Sequence, residues 1–467
     1  MKQSKPIGTY AVLFLPWLLS FAFYDAPFLS YLIAWAGSFF IFYITLSGKL
    51  RALPADRPVA EQLMRPIFLM QIIFAGFMCC TSIFYFSSLY GYDNFEHISN
   101  TYFIVDEEKV RLTAQCQRYY CLGHAALVSG IMVFMKYPVK KRYTIKIEKL
   151  ANLLLQTAFI SFAVSIFFYN YPPLFQFYVQ LNSLSFIAGT LALAFAIPLK
   201  KTTNTLICLA MYLSNFYQAF ISGYKEPIII SLLVLGIFLY PNYKKLVLTI
   251  GIPLMLALFV FLPAYVASFR DVAWSGQDTE ENASENALNS TLNNDNQQTN
   301  WQFLVTRLSE IEMFTTFVQS TPDHIGYYGT TILEQSATAI IPRIFWPSKA
   351  ATESLVMERV YNAGVVYRGS NVSAKPAFIV DAYLTAGPFG IFVLLFAYGA
   401  IAQLISIKAE ELFGGYILGA ALIFSGLFQS FWRGLSMEFL VNTIFWSYIS
   451  MLVIFRIMKG ARILTPI

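Results

Sequence analysis

Residues 246–268 read LVLTIGIPLMLALFVFLPAYVAS, 23 positions without a charged side chain. Hydrocarbon offers backbone amides no water to pair with, so a run this long and apolar closes its hydrogen bonds within itself, as a helix able to cross a bilayer. Lys244 and Lys245 bound it on one side and Arg270 on the other. Eleven similar runs lie near 8–24, 28–46, 67–87, 118–135, 150–170, 174–197, 205–221, 226–240, 377–405, 413–431 and 437–456. The run at 226–240 is short for a crossing and reads as tilted or partly re-entrant. Composition agrees: 57% of the 467 residues are apolar, 17% are aromatic and only 12% are charged. That is too little charge to cover a soluble protein of this size. The expected fold class is an all-α integral membrane protein of about twelve transmembrane helices. The first run follows Lys2 and Lys5 and has no small-residue cleavage site before Asp25, so it reads as a retained helix and not a removed signal peptide.

Basic residues sort by side. Numbering the runs alternately inside and outside puts Lys2, Lys5, Lys49, Arg51, Arg57 and Arg65 on one face. The clusters at 136–149, 200–201 and 244–245, with Lys408, Lys459 and Arg462, fall on the same face. The short loops of the opposite face offer only Lys109, Arg111, Lys225 and Arg433. The positive-inside rule then makes both termini cytoplasmic.

One connection differs from the rest. Residues 269–376 leave the membrane for about a hundred positions, which divides the chain into an N-terminal bundle (1–268), an outer loop (269–376) and a C-terminal bundle (377–467). Within the loop, 276–300 (QDTEENASENALNSTLNNDNQQTN and the residue before it) is acidic and amide-rich, which predicts a disordered tether. Short helices are expected over 301–376, the first of them amphipathic through WQFLVTRLSEIEMFTTFVQST. A second acidic outer loop spans about 88–117. No internal repeat relates the two halves of the chain, although many carriers are built from matching halves.

The five cysteines have no metal-ligand spacing and read as small buried apolar groups; Cys116 and Cys121 could pair only if their backbone bent sharply. His97, His124 and His324 are scattered, so no metal site and no cofactor is expected. Walker, HExxH, GxSxG and paired CxxC patterns are absent, which leaves nucleotide hydrolysis, zinc proteolysis and serine hydrolysis without support, and nothing points to nucleic acid.

The polar residues left unexplained gather on the outer face of the second half. SGYKEP (222–227) sets Lys225 at a helix mouth, as an anion ligand or a snorkelling lysine. Arg307 and Glu310 lie three apart and can share a helix face, as a local ion pair or as an arginine oriented toward a ligand. IPRIFWPSK (341–349) holds Arg343, Trp346 and Lys349 on a proline-stiffened frame. It reads as an interfacial belt, or as a clamp that is cationic for phosphate and aromatic for a sugar or a prenyl chain. Asp381 opens the tenth run as a helix cap or a working acid, and Arg433 in FWRG ends the eleventh, with Gln429 one turn below and Glu438 beyond. Arg270 adds another outer cation.

In this order SGYKEP, RLSE, IPRIFWPSK, DAYLTAG with FG, and FWRG resemble the bacterial oligosaccharide repeat unit polymerases, the Wzy-type O-antigen and exopolysaccharide polymerases. The resemblance runs from about 222 to 434; earlier residues match only in hydropathy. Asp381 stands where the related pattern has glutamate. The resemblance implies a GT-C-like polymerase bundle in the bacterial inner membrane. Such a bundle moves a glycan from undecaprenyl diphosphate onto another lipid-linked repeat unit at the periplasmic face. It also implies roles: Arg307, Arg343 and Arg433, with Lys225, Arg270, Trp346 and Lys349, would hold the lipid-linked substrate and its diphosphate. Glu310 or Asp381 would accept the proton of the acceptor hydroxyl, with His324 a less favoured base. Membrane lipid, a Wzz-type chain-length regulator and a flippase are the partners such a pathway offers. Two other readings stand beside it: an O-antigen ligase, which shares the plan but relies on a periplasmic histidine, and a lipid-linked oligosaccharide flippase, whose charges should line a passage.

Overall fold

Each of the twelve apolar runs is helical. A computed structural model describes residues 7–97, 103–145, 147–221, 225–273, 280–292, 297–369, 374–429, 431 and 434–467, and about 75% of the chain is helix. In chain order, α1 (Leu15–Ala22) follows a 3-10 stretch, and α2 is Pro27–Leu46. Next, α3 (Pro66–Gln71) runs through π-helical turns into α4 (Ser82–Ser88). Then come α5 (Glu107–Phe134), α6 (Ile147–Tyr169), α7 (Phe175–Ala196), α8 (Thr202–Ile221), α9 (Lys225–Leu239), α10 (Lys244–Leu246) and α11 (Ile252–Ala273). Five shorter helices follow: α12 (Glu280–Leu292), α13 (Gln297–Gln302), α14 (Ile311–Ser320), α15 (Thr331–Ile340) and α16 (Thr352–Asn362). The chain finishes with α17 (Phe378–Leu412), α18 (Tyr416–Ile423) and a last helix, Met437–Gly460.

Six stretches among the described residues are long and apolar enough to cross a membrane: Pro27–Leu46, Pro66–Ser88, Lys149–Tyr169, Lys244–Val266, Phe378–Leu412 and Met437–Gly460. Gly8–Ala22, Leu181–Ala196 and Ile228–Leu239 are apolar but shorter. Helix α5 is outside both groups. It starts eleven residues before the predicted run because Asp106 caps it, accepting from the Lys109 amide at 3.0 Å, and Glu107 and Glu108 favour its positive end.

The chain divides into two compact units, one of Met1–Pro58, Met64–Lys141 and Leu304–Arg456, the other of Val59–Leu63, Arg142–Phe303 and Ile457–Ile467. These units do not follow the sequential order: most of the first and last thirds of the chain fall in one, and most of the middle in the other.

In the first unit, α5 and α17 cross backbone to backbone. A Cβ on Gly130 would stand 2.1 Å from the Phe396 carbonyl oxygen, and one on Gly399 would stand 2.1 Å from that of Leu127. Small residues let apolar helices approach where no hydrophobic force distinguishes helix from lipid. Helix α17 is two helices joined at a break, with Ala386 at φ −159° and Gly387 at φ 62° before Pro388. Proline supplies no amide, so the carbonyls ahead of it need other donors. They have them: the Tyr328 amide donates to Leu384 O at 2.9 Å and the Gly329 amide to Thr385 O at 3.1 Å. At the far end of α17, Arg65, 1% exposed, forks onto Asp56 at 2.7 Å and onto Glu410 at 3.0 Å. Its guanidinium lies 4.1 Å from the Tyr137 ring centroid. Those hydrogen bonds from Arg65 hold Asp56 below the usual carboxylate range, against partial burial. His124 is core, its Nε2 3.1 Å from Gln71 Oε1. All five cysteines are free, and Cys116 and Cys121 lie on one helix.

In the second unit, Ser185 Oγ on α7 donates to the Ala158 carbonyl of α6 at 2.8 Å, and Tyr212 on α8 meets Ser231 on α9 at 3.3 Å. The tether predicted over 276–300 is corrected here: residues 280–292 form α12. Ala283 and Ala287, one turn apart, pack on Tyr265, Val266 and Phe269 of α11, and Ser284 Oγ lies 2.8 Å from the Tyr265 hydroxyl. A narrow stripe of small residues was enough, although the segment's average composition is polar. Sheet among the described residues is limited to two pairs of two-residue strands, Tyr92–Asp93 with Glu96–His97 and Tyr143–Thr144 with Thr465–Pro466.

Gly399→Val should force α5 and α17 apart, at a cost of about 1–3 kcal/mol for overpacking that exceeds any gain in helix propensity. Thermal unfolding in detergent checks this: Gly399→Val should melt several degrees lower. Gly236→Ala, whose new methyl would meet nothing nearer than Val247 Cγ1 at 3.8 Å, should not.

Candidate functional site

Two features of the first unit meet at the segment that follows Arg433. The first is a buried ion-pair knot. Helix α16 has Val356, Met357 and Val360 buried on one face, and Arg359 falls on that same face, 2% exposed. Its guanidinium forks onto Glu438 at 2.6 and 3.0 Å, reaches Asp381 Oδ1 at 3.1 Å and donates to Gln335 Oε1 on α15 at 3.0 Å. Asp381 and Glu438 are fully buried. The second oxygen of Asp381 accepts from the Met437 amide at 2.7 Å, capping the last helix. Burial opposes the charge on Arg359, but Asp381 and Glu438 outweigh it and raise the guanidinium above its ordinary range, so it stays charged.

The second feature is Glu310. A π-helical stretch, Phe303–Leu308, ends just before it, and Glu310 opens α14 in the left-handed conformation, φ 54° and ψ 17°. A non-glycine residue there costs free energy and persists only where its surroundings hold it. Neighbouring contacts do so: the Tyr120 hydroxyl donates to the Ser309 carbonyl at 2.8 Å, and the Phe314 amide donates to the Glu310 carbonyl at 3.2 Å. The carboxylate lies against Gly434, where a Cβ would stand 3.3 Å from Glu310 Oε2; Gly434 itself has φ +60°. Beside it, Tyr383 packs on Tyr119, Phe314 and Tyr327 with ring centroids 5.1, 5.7 and 5.8 Å apart, and its hydroxyl donates to the Thr321 carbonyl at 2.7 Å. The segment Gly434–Met437 thus begins against the Glu310 carboxylate and is held at its other end by Asp381.

The remaining candidates fall differently. Arg307 is exposed on the π-helical stretch. Arg343 and Trp346 are exposed on the turns after α15, with Trp346 at 42%. Lys349, offered as a substrate ligand, donates through Nζ to the carbonyls of Thr338, Ala339 and Ile341 at 3.2, 3.3 and 2.7 Å, which makes it the cap of α15. Burial, with Arg343 nearby, lowers its pKa. Asp381, the other candidate proton acceptor, has both oxygens engaged in the knot and none of its surface open. His324 is exposed. Lys225 begins α9 and Arg270 lies on α11, both in the second unit; their side chains, and Arg433 altogether, lie outside the described residues.

Arg359 and Gln335 escaped the sequence reading, and Glu438 entered it only as a neighbour of Arg433. A helical wheel of α16 holds the signal for Arg359, because it shares the apolar stripe with Val356 and Val360. Arg118 on α5 also went unnoticed. It is half-buried, donates to Ser30 Oγ at 2.8 Å, and has no carboxylate within ion-pair distance among the described residues. No cluster of three or more His, Cys, Asp or Glu able to hold a metal occurs among the described residues.

The architecture defines an all-helical chain with several helices apolar enough to cross a membrane. Residues 15–466 match the family DUF8712, described as a domain of unknown function, and the chain belongs to that family. No curated protein and no solved structure gives a significant match to it.

Arg359→Met strands two buried carboxylates and should cost about 3–5 kcal/mol. Arg368→Met, which removes the exposed pair with Glu358 at 2.7 Å, should leave stability unchanged. Melting temperatures of the two variants in the same detergent check the contrast.

Proposed function

We propose that this protein is a multi-pass membrane glycosyltransferase that polymerises lipid-linked oligosaccharide repeat units. In this reading twelve helices span the bacterial inner membrane, both termini are cytoplasmic, and the reaction takes place at the periplasmic face. One observation supports it above the others: Glu310 stands on a left-handed backbone with its carboxylate against Gly434, the residue after Arg433. Three separate pieces of the resemblance, RLSE, DAYLTAG and FWRG, thereby contribute to one locus, through Glu310, Asp381 and Gly434.

The chemistry assigned to that locus is glycosyl transfer from undecaprenyl diphosphate. The hydroxyl oxygen of the acceptor sugar bonds to the anomeric carbon of the donor, and the bond from that carbon to the diphosphate oxygen breaks. The electron pair leaves with the diphosphate. Glu310 takes the hydroxyl proton. Arg307 and Arg433 balance the charge of the leaving diphosphate, because a guanidinium fork matches phosphate oxygens. Asp381 and Glu438, held by Arg359, act as positioning residues for the segment after Arg433. Tyr327, 42% exposed and backed by the buried rings of Tyr383 and Phe314, suits a sugar face. A chain-length regulator and a flippase of the same pathway would be its protein partners.

In a strain lacking the gene, surface polysaccharide run on a gel tests the reading. Wild-type protein should restore a ladder of lengths. Glu310→Gln and Arg307→Ala should leave single repeats while the proteins remain at normal levels in the membrane. Full ladders from both variants would remove this site. Long polymer that accumulates unattached in the deletion strain would instead indicate a ligase.

A further inference from the structure

The turns after α15 expose an apolar ledge: Ile341, Ile344, Phe345 and Trp346 are 38, 47, 78 and 42% accessible, and Arg343 is exposed among them. The ledge is rigid. The Phe345 and Trp346 amides donate to the Pro342 carbonyl at 3.0 and 3.2 Å, and the Lys349 amide donates to the Trp346 carbonyl at 3.2 Å. It is also pinned at a definite height. Trp446 Nε1 donates to the Ile340 carbonyl at 2.9 Å, and Trp446 is the tenth residue of the last helix, Met437–Gly460.

That height decides what surrounds the ledge. At 1.5 Å per residue Trp446 lies about 14 Å along the axis from Met437, and the 24-residue helix is about 36 Å long against a hydrocarbon core of about 30 Å. Even if the whole excess of about 6 Å projected on the outer side, Trp446 would lie roughly 8 Å inside the hydrocarbon. The carbonyl it binds lies at the same depth. Carbonyls at that depth need internal donors, and the ammonium of Lys349 supplies them to the end of α15. Few residues of the last helix are fully buried, most are half-buried, and Phe445, Val453 and Ile457 are 40, 48 and 64% exposed, so one side of it faces the same medium as the ledge.

We infer that residues 341–349 form an in-plane membrane anchor: Ile344, Phe345 and Trp346 insert among the acyl chains of the outer leaflet, and Arg343 reaches up to the phosphate of an anionic lipid. The occupant is bilayer lipid, chosen because the face is apolar at acyl depth and its one free-standing charge is positive. The anchor rests on the membrane placement of the last helix and is independent of the glycan-joining reading.

Site-directed spin labelling in proteoliposomes tests it. The background is Cys80→Ser, the other four cysteines being buried. A nitroxide is attached at Phe345→Cys, and separately at Val453→Cys, a 48% exposed position of the last helix. In vesicles of phosphatidylethanolamine and phosphatidylglycerol, both labels should collide with oxygen in preference to a water-soluble nickel chelate. The Phe345 label should lie deeper there than in pure phosphatidylcholine, and Arg343→Gln should abolish that difference. A Phe345 label dominated by nickel while Val453 is dominated by oxygen overturns the anchor alone. Equal Phe345 depth in both lipids overturns the anionic contact. Nickel-dominated labels at both positions overturn the membrane placement, and the anchor with it.

Discussion

The end of the first unit that holds Glu310 depends on Arg359, a guanidinium closed inside the protein between two carboxylates. Removing three charges from water costs several kcal/mol for each ion, and the attraction between them offsets this only when geometry is close and the remaining donors are used. Four hydrogen bonds of 2.6 to 3.1 Å to Glu438, Asp381 and Gln335 supply the close geometry, while the buried Nε of Arg359 has no partner among the described residues. A well-packed apolar set would often be as stable, so the knot is better understood as a device for position. It joins α15, α16, the first half of α17 and the last helix in one register. Through Asp381 it also fixes the Met437 amide, and so the short segment that begins beside Glu310.

The first unit has a second arginine between two carboxylates, Arg65 with Asp56 and Glu410, at the opposite end of α17. The comparison separates structure from site. Arg65 stacks on Tyr137 and joins the 56–65 loop to the end of α17. At the Arg359 end the same device shares its surroundings with a strained acid, a positive-φ glycine and a cluster of four aromatic rings. A strained backbone that its surroundings hold in place is where function is often found, which is why Glu310, and not the fully buried Asp381, is proposed as the proton acceptor.

What could be read from the sequence follows from which interactions are local. The helical, apolar character was legible because each apolar run must satisfy its own backbone, although six stretches among the described residues have the length and composition to cross a membrane. The break at Gly387 carries a local signal, AGP, that went unread, and the amides of Tyr328 and Gly329 that cap it come from far away in the chain. Helix α12 was hidden because composition averages over a stripe only two alanines wide. The knot was hidden for another reason: Arg359 lies 22 residues from Asp381 and 79 from Glu438, and no local pattern announces such partners. Cations were legible by type and not by role, as Lys349 shows, since three carbonyls at a helix end claim it first.

The most direct measurement is made on purified protein in bilayer vesicles supplied with short undecaprenyl-diphosphate-linked repeat units, with no nucleotide and no ion gradient. Lengthening of the lipid-linked glycan, with release of undecaprenyl diphosphate at each step and loss of both in Glu310→Gln, is the predicted result. Glycans that keep their starting length while crossing the bilayer, or lengthening undiminished in Glu310→Gln, would contradict the account.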